Sequence, residues 1–372
     1  MRRPILKIVC MLLVLMLIAA CGSQGSGGAG STGNTASQGS SQSSSQGASQ
    51  GTSQSSSQGA GTDAAPKFEK MSLKFGHPAT ADQPIQTAAE QFAKNVSERT
   101  GGAVTIEIFP AEQIGTEKDM VEQTKAGAIH FVWGAPGTLG AYVPQIEILT
   151  GPFLFADWDE AKKVMQSDVA QEIYKKLEDE HNLKVLDAAW YLGWRYVTAN
   201  KRITSPDDMK GLKMRAPAIP LYVETFKALG ANPTPLPLGE VYTALQTGVV
   251  DAQENPIPLI YGQKFYEVQK YVIGTRHMLQ SNIVTTNAQW FNNLPAELQQ
   301  IIKEEIVKAG ELMTELQMKA EQENVDLIKA AGVEFVEVDR GPFREKTAVV
   351  YEIFQDVWGK DLYQRILDVI KN

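Results

Sequence analysis

The chain has 372 residues, 43% of them hydrophobic, and a net charge of −8 from 35 basic and 43 acidic side chains. An acidic balance without clustered Lys and Arg argues against nucleic acid as a partner. Two cysteines, Cys10 and Cys21, offer no disulfide framework, so the fold has to rest on a large apolar core.

Arg2, Arg3 and Lys7 precede an apolar run over 8–20. That run is shorter than the roughly 20 apolar residues a membrane span needs, and it has the length and flanks of a secretory signal. It ends Leu17-Ile18-Ala19-Ala20-Cys21-Gly22. Small residues before a cysteine resemble the lipobox of bacterial lipoproteins, which implies that residues 1–20 are removed and that Cys21 carries lipid. Loss of the three basic residues takes the charge from −8 to −11. Residues 22–65 are almost all Gly, Ser, Gln, Ala and Thr, with Asp63 the sole charge. Such a segment buries too little apolar surface to offset chain entropy and reads as a disordered tether. Its 44 residues have a root-mean-square span of roughly 35–40 Å.

From residue 66 onward strand and helix signals alternate. Residues 71–76 read as a strand, 84–99 as an amphipathic helix stopped by Gly101-Gly102, and 104–109 as a period-two strand. A helix over 116–125 with Gly127 at its stop and a strand over 129–133 complete a βαβαβ order, which predicts a parallel sheet. Ligands of open α/β sheets bind beyond the carboxyl ends of strands. That singles out His77-Pro78, Pro110-Ala111 and Trp133-Gly134-Ala135-Pro136.

A second α/β unit comes next, with strands over 183–190 and 194–200 and Ser205 as a helix cap. Further along are a strand over 211–216, helices over 220–229 and 239–246, and a strand over 248–253. Residues 295–331 carry apolar residues at helical spacing, with Gly332 at the end. Thirty-seven helical residues reach about 55 Å. Such a helix either bends near Gly310 or spans both lobes as a brace. The tail adds a strand over 333–338 and two helical segments over 341–372.

The chemistry concentrates between Trp190 and Pro256. Arg195, Arg215 and Asn255 lie at strand ends there, and arginine offers a planar fork of donors that matches a carboxylate. Trp133, Trp190, Tyr191 and Tyr222 are candidate pocket walls, and His77 a candidate cleft residue. His277 is placed as support for Asn255 or Glu254. Glu254 itself reads as a structural partner, since a carboxylate repels an acidic ligand. The four histidines have no metal-ligand spacing, and no Gly-x-Ser-x-Gly, P-loop or dinucleotide fingerprint occurs. No metal, cofactor or catalytic residue is expected. An anion clamp without a reactive group points to binding.

Several stretches taken together carry a family resemblance. They are Phe109-Pro110-Ala111-Glu112-Gln113-Ile114-Gly115, Gly151-Pro152-Phe153-Leu154-Phe155, Gly211-Leu212-Lys213-Met214-Arg215-Ala216-Pro217 and Ala252-Gln253-Glu254-Asn255-Pro256. In order, they resemble the solute-binding subunit of TRAP transporters, the dicarboxylate- and sialic-acid-binding family. The resemblance implies a two-lobed, periplasmic-binding-protein-like α/β fold with a long helix bridging both lobes. Residues 66–192 with about 281–320 form one lobe, and 193–280 with about 321–372 the other. It also implies that Arg215 forms a bidentate salt bridge to the ligand carboxylate, that Asn255 helps hold it, and that Arg195 reaches the acid or its neighbouring hydroxyls. The implied partners are an organic acid, the small and large membrane subunits of the importer, and the membrane through the lipid on Cys21. The site is then extracytoplasmic and lipid-anchored. The run Gly134-Ala135-Pro136-Gly137-Thr138 lacks the charges of sialic-acid binders and argues against sialic acid. A ligand-sensing module for a membrane receptor is the alternative reading, and an enzyme acting on acidic sugars a distant third.

Overall fold

A computed structural model describes residues 68–372. The signal, the lipidation site Cys21 and the tether over 22–65 lie outside the described residues. The first three strands are β1 (Met71–Gly76), β2 (Val104–Phe109) and β3 (Phe131–Gly134), parallel with β1 in the middle. Their crossovers are the helices Pro84–Arg99 and Glu117–Ala126. The first buries Ile85, Ala88, Ala89, Phe92 and Val96, the i, i+3, i+4 stripe expected of a helix packed on a sheet. The second opens on a reciprocal cap between Thr116 and Asp119 and closes on Gly127 at φ 78, a left-handed conformation that glycine adopts without a Cβ penalty.

Strand β4 (Leu183–Ala199) is one 17-residue element, not the two strands expected over 183–190 and 194–200. Gly193, at φ 115, lies where the pairing slips between Tyr191 and Gly193. The glycine marks a bulge inside a strand rather than a break between strands. Upstream of it β4 pairs antiparallel with β9 (Leu279–Asn287). Downstream it pairs with β7 (Ala252–Pro256) and β8 (Tyr271–Ile273). With β5 (Lys213–Ala216), β6 (Asn232–Pro235) and β10 (Glu334–Val336), the path reads β2-β1-β3-β9-β4-β7-β5-β6, and β8 joins β4 to β10. Thus β4 and β9 link a parallel β1–β3 group to a parallel β5–β7 group. Ser205 does initiate a turn, its amide bonding Asp208 Oδ2 at 3.1 Å, but that turn leads only into the short 3₁₀ segment Pro206–Met209.

The helix Ala296–Ala330 is continuous over 35 residues, which settles the choice at Gly310 in favour of a brace. Its first half packs Leu298, Ile302, Ile306 and Met313 with Phe92 and Trp190; near its end Ile328 joins a separate cluster with Val241, Ile260 and Val272. Buried Glu305 is met by Asn95 Nδ2 and Arg99 Nη1, each at 2.7 Å, and Gln317 Nε2 reaches the Leu192 carbonyl at 2.7 Å. A Cβ at Gly310 would lie 2.8 Å from Trp190 Nε1 and 2.9 Å from Asp187 Oδ2. The glycine is there for close approach to β4, not for bending. After β10 the tail forms three helices, Arg340–Thr347, Val349–Trp358 and Leu362–Lys371, one more than expected.

Candidate functional site

A cavity of about 470 Å³ opens where strand ends from both groups converge. Pro78 and Ala79 come after β1, Glu112 and Glu117 after β2, and Trp133 and Ala135 sit at and beyond the end of β3. From the other side come Arg215, Leu236 and Asn255, near the ends of β5, β6 and β7, and Arg195, which lies inside the long β4 and not at the strand end expected of it. The strand-end expectation therefore locates the cavity correctly, although Pro110 and Ala111 yield their place to Glu112.

Arg215 and Arg195 are both 3% exposed, yet their settings differ. The Arg215 Nε and Nη2 groups chelate one acceptor, the Leu236 carbonyl, at 3.0 and 2.7 Å. Arginine has five N–H donors, so three remain, including the parallel Nη1/Nη2 pair at the tip of the fork. Among the described residues no carboxylate forms an ion pair with Arg215. Burial therefore lowers its pKa to about 10, and it still carries its charge at neutral pH.

Arg195 is almost fully occupied. Its Nε and Nη2 form a forked pair with Glu254, Nη2 also donates to Asn255 Oδ1 at 2.9 Å, and Nη1 donates to Gln280 Oε1. Burial alone would raise the Glu254 carboxyl, but Arg195 and His277 outweigh it and hold the pKa at about 2. His277 Nε2 lies 3.3 Å from Glu254 Oε2, the supporting place expected of it. Glu254 is fully buried and is absent from the lining, as expected of a structural partner.

Asn255 is oriented from both sides, its Oδ1 by Arg195 and its Nδ2 by Gln253 Oε1 at 2.7 Å, which leaves one amide N–H for the cavity. Tyr222 lines the cavity with its ring 5.1 Å from the Arg195 guanidinium and its hydroxyl on Gln280 Oε1 at 3.0 Å. Trp133 also lines it. Two expected wall residues and His77 are placed elsewhere. Tyr191 turns to the brace, its hydroxyl bonding Glu321 at 2.9 Å, and Trp190 is fully buried against Gly310. His77 is fully buried beneath the lining, held through Nε2 by Gln86 at 2.9 Å, and burial drops its pKa to about 4.

Three carboxylates on the lining are additions to the residues expected there, and of these only Glu112 falls within a family-like stretch, 109–115. Glu112 Oε2 accepts from the Gly239 amide at 3.2 Å. Glu117 Oε1 accepts from the Ala135 amide at 2.8 Å and from Thr138 Oγ1 at 2.5 Å. Glu147 Oε2 accepts from the Leu221 amide at 3.1 Å. Burial raises all three carboxyls, Glu147 to about 7. Asn282 adds a neutral amide, oriented by Gln280. The site thus offers one unpaired cationic fork, neutral donors and several carboxylate acceptors. Among the described residues no group of acidic, histidine or cysteine side chains is arranged to hold a metal.

The family model of bacterial extracellular solute-binding proteins, family 7 (DctP), matches residues 75–356. The 2,3-diketo-L-gulonate-binding periplasmic protein YiaO of Escherichia coli (strain K12) is 35% identical over 295 residues, covering 79% of this chain and 88% of its own. The sialic acid-binding periplasmic protein SiaP of Vibrio cholerae is 31% identical over 295 residues, 79% of this chain and 92% of its own. A TRAP periplasmic solute binding protein from Haemophilus influenzae, solved with bound L-gulonate, superposes with a TM-score of 0.76 at 32% identity, covering 81% of this chain and all of that one. The family match spans the segments that hold Arg215, Asn255 and the brace helix, and the solved structures carry the two-lobed α/β class. The chain belongs to the DctP family of extracellular solute-binding proteins, the binding component of TRAP transporters, and is an extracytoplasmic binding protein rather than an enzyme.

Proposed function

We propose that this protein captures a sugar acid through a carboxylate clamp centred on Arg215 and delivers it to the membrane subunits of a TRAP importer. The observation that carries this reading is the unpaired Nη1/Nη2 edge of a buried Arg215 facing the cavity. A charge-assisted hydrogen bond contributes about 1.5–3 kcal/mol. Two of them supply much of the roughly 8 kcal/mol of a micromolar binder. Asn255 adds its free N–H and Arg195 its one remaining Nη1 hydrogen. The carboxylate acceptors on the lining suit the hydroxyls of a sugar acid, and YiaO and the L-gulonate-bound structure are named for such ligands.

Residues 66–192 with about 281–320, and 193–280 with about 321–372, are the lobes that close on the ligand, hinged where β4 and β9 cross between them. The body is tethered through lipid on Cys21, a reading that rests on the Leu17-Ile18-Ala19-Ala20-Cys21 text. Cells fed labelled palmitate should label the wild-type protein and not Cys21→Ala; equal labelling removes the anchor.

A thermal-shift screen tests the ligand class with hexuronates, hexonates, sialate, C4-dicarboxylates, 2-oxo acids and aromatic acids. A ligand at 100 times its Kd adds about 2.7 kcal/mol of stability. A sugar-acid shift that disappears in Arg215→Ala is the expected result. Stabilisation only by uncharged compounds overturns the reading.

A further inference from the structure

Beyond the clamp, the lining carries three carboxyls with no ion pair among the described residues: Glu112 takes the Gly239 amide within the field of Arg215, and Glu117 and Glu147 are each fixed by backbone donors. The atom Glu117 Oε1 is filled by the Ala135 amide and the Thr138 hydroxyl, which fixes the side chain, while Oε2 has no partner among the described residues. Glu147 is held in the same way. Its Oε2 takes the Leu221 amide in the first turn of the helix Pro220–Ala228, Oε1 packs against the backbone of Gly140, and Oε1 too has no hydrogen-bond partner among the described residues. Neither residue forms an ion pair among the described residues. Lys118 is on the lining but solvent-exposed, and it forms no ion pair with Glu117 or Glu147 among the described residues. The one cationic fork available inside, that of Arg215, is filled by a single ligand carboxylate.

We propose that Glu117 and Glu147 set the specificity of this site, admitting a polyhydroxy monoacid and excluding a diacid or an unsubstituted aliphatic acid. The inference rests on the carboxylate-clamp reading above. A hydroxyl donates to a free carboxylate oxygen and compensates it for the water it loses. A methylene brings no donor and leaves the oxygen desolvated. At a pH where Glu147, raised by burial to about 7, has ionised, a second carboxylate brings a like charge against it and against Glu117. Apart from Arg195, Arg215, Lys118 and the carboxyls, the polar side chains on the lining, such as Thr116, Tyr222, Gln280 and Asn282, are neutral and supply no positive charge.

The test is calorimetric titration of the full chain at pH 8, above the value of about 7 to which burial raises Glu147, with ligands sharing one carbon skeleton: galactonate against galactarate, gulonate against glucarate, and hexanoate. A hexonate should bind, with its hexarate and hexanoate at least about 100-fold weaker. Glu117→Gln and Glu147→Gln keep an oxygen for the backbone donors and remove the charge. Each should weaken the hexonate and narrow the hexonate-to-hexarate ratio at least about 10-fold. Because the ratio compares two ligands on one protein, a loss of folded fraction cancels from it. A hexarate that binds as tightly as its hexonate, or a ratio unmoved in both Gln variants, overturns the inference. If Arg215→Ala still abolishes binding in that case, the clamp reading survives it. If no acid in the series binds, the clamp reading falls and takes this inference with it.

Discussion

Two arginines reach one cavity, equally buried, and their surroundings assign them opposite work. Arg195, on β4, is matched to Glu254 on neighbouring β7 and backed by His277, Asn255 and Gln280, so its charge is neutralised within the fold. Arg215, on β5, has a backbone carbonyl at its side and no ion-pair partner among the described residues. The consequence shows in the direction of their pKa shifts. Burial pulls both downward, yet Glu254 carries Arg195 above the usual arginine value while Arg215 falls to about 10. A pair completed inside the protein is scaffold. A buried charge left incomplete is a place for a ligand.

This contrast is easiest to break at Arg195. Removing one member of a buried pair leaves the other charge uncompensated, so Arg195→Ala should cost about 3–5 kcal/mol in urea unfolding. A cost below about 1 kcal/mol would remove the scaffold assignment. Arg215→Ala should do the reverse. The empty protein should be as stable as wild type or more so, since an unpaired buried cation has gone, while acid binding weakens by about 3–4 kcal/mol, or 100-fold and more. A large stability loss with binding intact would exchange the two roles.

The pH dependence sharpens the same comparison on the acidic side. Burial raises Glu147 to about 7, against about 4.3 for an unperturbed glutamate. The folded state therefore holds this proton more tightly than the unfolded state. The stability it contributes is complete below about pH 4.3 and is lost as pH rises towards 7. Glu147→Gln should remove that loss, so the variant gains on wild type between pH 5 and pH 8, by up to about 3 kcal/mol. Parallel stability curves for the two proteins would show that the carboxyl is not strained by burial. A smaller effect is expected at Gly310→Ala, about 1–3 kcal/mol of destabilisation, because the added methyl meets Trp190 and Asp187 where the brace touches β4. Unchanged stability there would mean that the brace is free to shift.

How far the sequence carries can be judged from particular elements. Strands β1 and β2 and the helix Pro84–Arg99 fall where periodicity places them, because each buries one face and exposes the other. Strand β9 does not show itself. All nine of its residues are buried, and Gln280, Ser281, Asn282, Thr285, Thr286 and Asn287 spell a loop rather than an alternating strand. Gln280, Ser281, Asn282 and Asn287 are instead spent on Arg195, Ala188, Lys125 and one another, partners that exist only after folding. The helices Trp158–Met165 and Asp168–His181 likewise fall in a stretch with no expected element.

At the site, Arg215, Asn255 and Arg195 are legible because a fork of donors in a strand-end motif has recognisable text around it. Arg195, however, is tied into the fold far more completely than that text suggests. Glu117 and Glu147 carry no such text. Glu117 opens a helix, where an acidic residue ordinarily faces solvent and favours the dipole. Its burial comes from the Ala135–Thr138 turn folding back over it, a tertiary event with no local signal.

The central claim is that the Arg215 tip holds a ligand carboxylate, and a charge-deletion cycle tests it most directly. Titration would compare a hexuronate with its uncharged amide, on wild type, Arg215→Ala and Arg195→Ala. The account predicts that the wild-type protein prefers the acid by 100-fold or more and that the preference vanishes in Arg215→Ala. In whatever fraction of Arg195→Ala remains folded, most of it should persist. A preference that survives in Arg215→Ala and is lost in Arg195→Ala would place the carboxylate on the other arginine and contradict the account.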